Sequence, residues 1–152
     1  MTRKNNNDHV LDVDITEVLL KNLLPDNVVS SSGGVVQVED GLLVSTTIDN
    51  TPGVIKITDT GVLDSRFGEG KGYVTARFPT PSVPWSSLYI LSGNRILLHV
   101  VGIDFTTGLF VPGFAQFDHE GKRAEDFGTD GVVWLTDFYP SAQARTAHIV
   151  TE

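Results

Sequence analysis

The chain has no cysteine. Disulfides, thiolate nucleophiles and cysteine-based zinc or iron–sulfur sites are therefore excluded. It lacks any apolar run of roughly 20 residues, the length a membrane-spanning helix requires. Cations are scarce as well: 11 Lys and Arg stand against 19 Asp and Glu, a formal net charge of -8. Such a chain repels phosphates and anionic headgroups, so nucleic acid and membrane surfaces are poor partners and a basic protein is a better one. The N-terminal "MTRKNNNDHV" carries no apolar stretch of signal-peptide length, and a cytoplasmic location is expected.

Of the 152 residues, 40% are hydrophobic and 20% charged, the balance of a folded domain. Residues 1–13 read as a polar tail, and 14–152 as a single β domain. "DITEVLLKNLL" at 14–24 predicts one short N-terminal helix. Asp14 and Glu17 form a capping box, Ile15, Val18, Leu19 and Leu23 form an apolar stripe, and Pro25 lies just past the end. Almost everything afterwards reads as strand and turn. Strands are expected at 35–40, 42–49, 54–58, 73–78, 87–91, 95–104, 114–118, 132–138 and 144–150. Asp40-Gly41, Asn50 to Gly53 and Ser92-Gly93-Asn94 supply turns, and "SSSGG" at 30–34 reads as a linker.

Two stretches correspond. "GVLDSRFGEGKG" at 61–72 returns in altered form as "GKRAEDFGTDG" at 121–131. Gly61, Phe67 and Gly68 align with Gly121, Phe127 and Gly128 at a constant offset, and Gly72 aligns with Gly131 one residue closer. The glycines suit positive φ in tight turns. Phe67 and Phe127 are the large apolar members of otherwise polar turns, and each is expected to be buried, plugging a gap between neighbouring sheets. Units of about 34–78 and 87–138 follow from this spacing. Asp64 has Ala124 as its counterpart, which makes it a local turn cap rather than a metal ligand.

The first stretch resembles the repeat of an uncharacterised bacterial β-propeller family, whose pattern runs roughly Gly-x-Leu-Asp-x-x-Phe-Gly-x-x-Gly-Val. Gly61, Leu63, Asp64, Phe67, Gly68 and Gly72 match it, with one extra residue before Gly72. The second stretch keeps Gly121, Phe127, Gly128, Gly131 and Val132 but has Arg123 and Ala124 in place of Leu-Asp. The resemblance covers about 34–135. It implies an all-β fold of two propeller-like antiparallel blade units, to which the N-terminal helix is added. Two blades cannot close a ring, and "RILLHVV" and "VVWLTDF" are too apolar for solvent on both faces. A homodimer is therefore expected.

No catalytic residue, metal ligand or cofactor is identified. His9, His99, His119 and His148 show no metal-ligand spacing, and His99 reads as a core or interface histidine. "DFG" at 126–128 has none of the accompanying kinase motifs. Aromatic and charged residues in loops and at strand ends are the candidate ligand contacts: Trp85, Tyr89, Arg95, Asp104, Trp134 and Tyr139. The leading expectation is a non-catalytic structural or protein-interaction module, with a carbohydrate-binding module as the alternative. A hydrolase built from scattered acids such as Asp49, Asp104 and Asp118 comes third.

Overall fold

The computed structural model describes residues 23–24, 33–79 and 82–135. They form two four-stranded antiparallel sheets. In the first, β1 (Val35–Val38), β2 (Gly41–Ile48), β3 (Thr51–Ile57) and β4 (Tyr73–Thr75) lie side by side in chain order. In the second, β5 (Ser82–Leu91), β6 (Arg95–Asp104), β7 (Leu109–Phe117) and β8 (Val132–Trp134) do the same.

Among the described residues both sheets are open and uncurled, and no strand of one pairs with a strand of the other. This corrects the propeller expectation: among the described residues there is neither a closed ring nor a long helix. Of the helix expected at 14–24, only Leu23 and Leu24 are described. Leu24 is buried against Val44, Ile48, Ile55 and Ile57 on the first sheet. The expected tail at 1–13 and strand at 144–150 lie outside the described residues.

Turn chemistry sets the hairpins. Asp49 and Asn50 both have positive φ, 48° and 59°, so they form a two-residue connection and Ile48 pairs directly with Thr51. The turn comes earlier than the expected Asn50 to Gly53, and Pro52 and Gly53 belong to β3. Pro52 is tolerated because it sits at the end of the β3–β4 ladder, where its carbonyl still accepts the Ala76 N–H at 2.8 Å. Pro84 likewise lies inside a strand, β5. That edge strand shifts register between Ser82 and Ser86, so no ladder bond depends on a Pro84 N–H.

Strand alternation divides the side chains. Leu43 and Val54 of the first sheet face Leu88, Ile96, Leu98 and Val100 of the second, forming the main core. Phe67, in the connection from β3 to β4, enters this core at 1% exposure. A Cβ on Gly121 would lie 2.9 Å from the Phe67 ring, so the second sheet's turn needs a glycine there. The Gly68 N–H donates to the Glu120 carbonyl at 2.8 Å and fixes the two turns together. On the other side of the molecule, Gly34 N–H donates to Ser86 O at 3.1 Å and Ser86 Oγ to Ser45 Oγ at 2.9 Å.

The turns at 61–72 and 121–131 share backbone geometry. Gly61 and Gly121 have the same φ of 82°, Gly68 and Gly128 lie at 63° and 61°, and Gly72 and Gly131 at 77° and 74°. Their packing differs. Phe127 is only half-buried, whereas Phe67 is enclosed. The expectation that both rings are plugs therefore holds for Phe67 alone, because Phe67 has a second sheet to press against.

Truncation should separate the two. Phe67→Ala should cost about 3–5 kcal/mol, and Phe127→Ala about 1 kcal/mol. Urea unfolding followed by circular dichroism checks the difference, and equal losses would contradict this packing.

Candidate interaction surfaces

The first turn is built around a buried carboxylate. Asp64, with its side chain 3% exposed, accepts hydrogen bonds from Arg66 N–H at 3.0 Å, Nε at 2.9 Å and Nη2 at 2.8 Å. Lys56 Nζ stands 3.3 Å from it and 2.9 Å from Asp40, which also takes Arg66 Nη2 at 2.9 Å. Bonding from Arg66, then from Lys56, outweighs burial and holds the Asp64 carboxyl far below the usual carboxylate range. Asp40 is lowered too, chiefly by Lys56. The second turn has Gln116 and Ala124 at the corresponding places, and Gln116 Oε1 instead accepts from Arg95 Nη1 at 3.3 Å.

The outward face of the second sheet gathers most of the sequence-predicted contacts. Arg95, Leu97, His99, Val101 and Ile103 alternate outward along β6. Tyr89 pairs beside Leu97, and Phe114 beside His99. The His99 and Phe114 rings stack with centroids 5.0 Å apart. Burial lowers the His99 pKa, and its Nε2 is enclosed with no hydrogen-bond partner among the described residues.

At one end of this face Trp85 lies against Phe110, ring centroids 6.0 Å apart, and the two are 63% and 44% exposed. Phe105, 73% exposed, stands on the adjoining hairpin. Asp104 shapes that hairpin by accepting from Thr106 N–H and Thr107 Oγ1, both at 2.8 Å, which lowers its pKa. Trp134 is not on this face. It packs inward over Gly113 and beside Phe78, at 5.7 Å, as a core residue. Tyr139 lies outside the described residues. Phe110 and Phe105 were missed in sequence because "FTTGLFVPG" reads as a connection, whereas β7 begins at Leu109.

Asp49, Asp104 and Asp118 sit on three separate turns, with Asp104 and Asp118 at opposite ends of the β6–β7 pair. Among the described residues no His, Asp and Glu cluster could hold a metal ion, and no helix is long and apolar enough to cross a membrane.

A second surface is a groove of about 570 Å³ between the two turns. It runs along Tyr73, Val74 and Thr75 of β4 and is faced by Glu120, Lys122, Arg123 and Glu125. Arg66, Glu69 and Lys71 complete its wall. Arg123 Nη2 reaches across to the Thr75 carbonyl at 3.2 Å.

No protein-family model, curated protein or solved structure matches this chain. The propeller resemblance therefore has no support beyond its motif.

Two titrations follow from these groups. Unfolded histidine protonates near pH 6.5, and a lowered native pKa means that the unfolded chain takes up that proton first. Stability should therefore fall as pH drops below about 6.5, and His99→Phe should flatten this part of the pH profile. Asp64 works through the opposite charge but in the same pH direction. Its contribution is present above the unfolded carboxylate pKa near 4 and is lost as pH falls toward its depressed native value. Asp64→Ala should cost about 2–3 kcal/mol at neutral pH, since it removes the turn's buried acceptor and leaves Lys56 and Arg66 to share Asp40 alone. Denaturant melts between pH 3 and pH 8 test both.

Proposed function

We propose that this chain is a non-catalytic interaction module that grips a protein partner through the aromatic end of the second sheet. The carrying observation is the grouping of Trp85, Phe105 and Phe110, three large exposed rings, at one end of a single sheet. Aromatic residues dominate the energetics of protein interfaces because they bury much area for little lost entropy. The partner is basic. A chain of net charge -8 steers cations toward itself, and the polar rim of an interface is where such charges act. The complex works in the cytoplasm, where a cysteine-free chain loses nothing to reducing conditions.

The exposed Trp85 indole also favours a second reading, in which a sugar ring stacks on this platform. A glycan array separates the two. A signal that Trp85→Ala abolishes would select the carbohydrate reading.

For the leading reading, affinity capture from the native organism should recover a basic protein. The Trp85→Ala, Phe110→Ala double variant should lose at least about tenfold in affinity while melting like the parent. Capture of nothing, or unchanged binding by the variant, contradicts it. Light scattering distinguishes a second copy of this chain as the occupant.

A further inference from the structure

The groove between the two turns lies on the opposite kind of surface from the aromatic face: a sheet edge rather than a sheet face. Its floor strand, β4, is the last of the first sheet and among the described residues pairs only with β3. The direction of its backbone groups follows from the ladder. Lys56 N–H donates to Gly72 O at 2.9 Å and Ala76 N–H to Pro52 O at 2.8 Å. In an antiparallel pair the residues that bond to one neighbour alternate, so Gly72, Val74 and Ala76 turn toward β3. Tyr73 and Thr75 turn away from it. The Thr75 carbonyl confirms this, because it accepts Arg123 Nη2 from the far wall of the groove.

The N–H groups of Tyr73 and Thr75 therefore point into the groove, about 7 Å apart along the strand. Neither has a partner among the described residues, and both residues are only partly buried. An unpaired strand edge is a template for another strand.

The charges around this edge are not self-satisfied. Arg66 is committed to Asp40 and Asp64. Lys71, Lys122, Glu69, Glu120 and Glu125 all line the groove, yet among the described residues none takes part in an ion pair. The lining carries four cations and three anions in a protein that is strongly acidic overall. Such a wall does not suit a polyanion or a polycation. It suits an extended chain whose side chains present both signs.

We infer that the groove binds an extended peptide segment of mixed charge, which adds to β4 as a further antiparallel or parallel strand through the Tyr73 and Thr75 backbone. Its acidic side chains meet Lys71, Lys122 and Arg123, and its basic ones meet Glu69, Glu120 and Glu125. On binding, the peptide takes over the Thr75 carbonyl from the Arg123 guanidinium, which is then free to bond a peptide carboxylate.

The test uses the full chain and a fluorescein-labelled decapeptide that alternates valine with glutamate and lysine, read by anisotropy. Binding should weaken by about tenfold or more when the peptide is N-methylated at alternate residues, which removes its ladder hydrogen bonds. Thr75→Pro deletes an N–H that the β3 ladder does not use, so it should leave the melting curve intact and lower affinity by a similar factor. If Thr75→Pro does not fold, amide hydrogen exchange on the parent chain replaces it, and the Tyr73 and Thr75 amides should slow on peptide addition. All-lysine and all-glutamate decapeptides should bind more weakly than the mixed one. No binding of any peptide at millimolar concentration overturns the inference. So does equal binding of the N-methylated peptide, or competition by a neutral oligosaccharide. The outcome is independent of the aromatic surface: Trp85→Ala should leave peptide binding unchanged, and Thr75→Pro should leave capture of the basic partner unchanged.

Discussion

The two sheets share one core, and Phe67 is the ring held where their turns meet. It is delivered by a polar connection, enters the shared core, and rests on a glycine of the other sheet's turn. Everything near it is arranged around that contact. Gly121 has no side chain because the ring occupies the space, and the Gly68 amide reaches the Glu120 carbonyl beside it. The groove lies between the same two turns.

The ion network behind the ring explains why the connection delivers it so reliably. Asp64 is buried, and a buried carboxylate is tolerable only when fully bonded. Arg66 wraps it from within the turn, and Lys56 and Asp40 tie it to β3 and to the β1–β2 turn. The turn is thereby rigid three residues before the ring. The second sheet's turn has Ala124 at that place and a half-exposed Phe127. Phe127 is less enclosed than Phe67, and the sequence difference follows the difference in burial.

Elements governed by local chemistry were legible from sequence. The 95–104 strand was placed to the residue, because Gly93 and Asn94 both take positive φ and stop the chain immediately before an apolar run. The second hairpin was misplaced because Pro52-Gly53 reads as a turn, while Asp49-Asn50 makes it. The propeller reading failed for a different reason. A motif fixes the backbone of a turn, but whether sheets close into a ring depends on contacts between sheets, which no turn motif encodes. Trp134 read as a ligand contact because an aromatic near a strand end can face either way, and Gly113 opposite it makes room on the inside. The groove does leave a signal in the sequence: four of the 11 basic residues, Arg66, Lys71, Lys122 and Arg123, fall within the two matched turns. Gly33-Gly34, read as a linker, is instead where the backbones of β1 and β5 come together.

The strand order has a kinetic consequence. Within each sheet every strand pairs with its neighbour in the chain, so each meander closes only short loops and can assemble on its own. Phe67 and Gly121 are separated by much more chain, so their contact closes a far longer loop than any pairing within a meander. The joining of the sheets is therefore the late event in folding. A meander made ahead of its partner transiently presents Leu43 and Val54, or Leu88 and Leu98, to water. The time between forming the halves and seating one phenylalanine is the interval in which this chain is most exposed to aggregation.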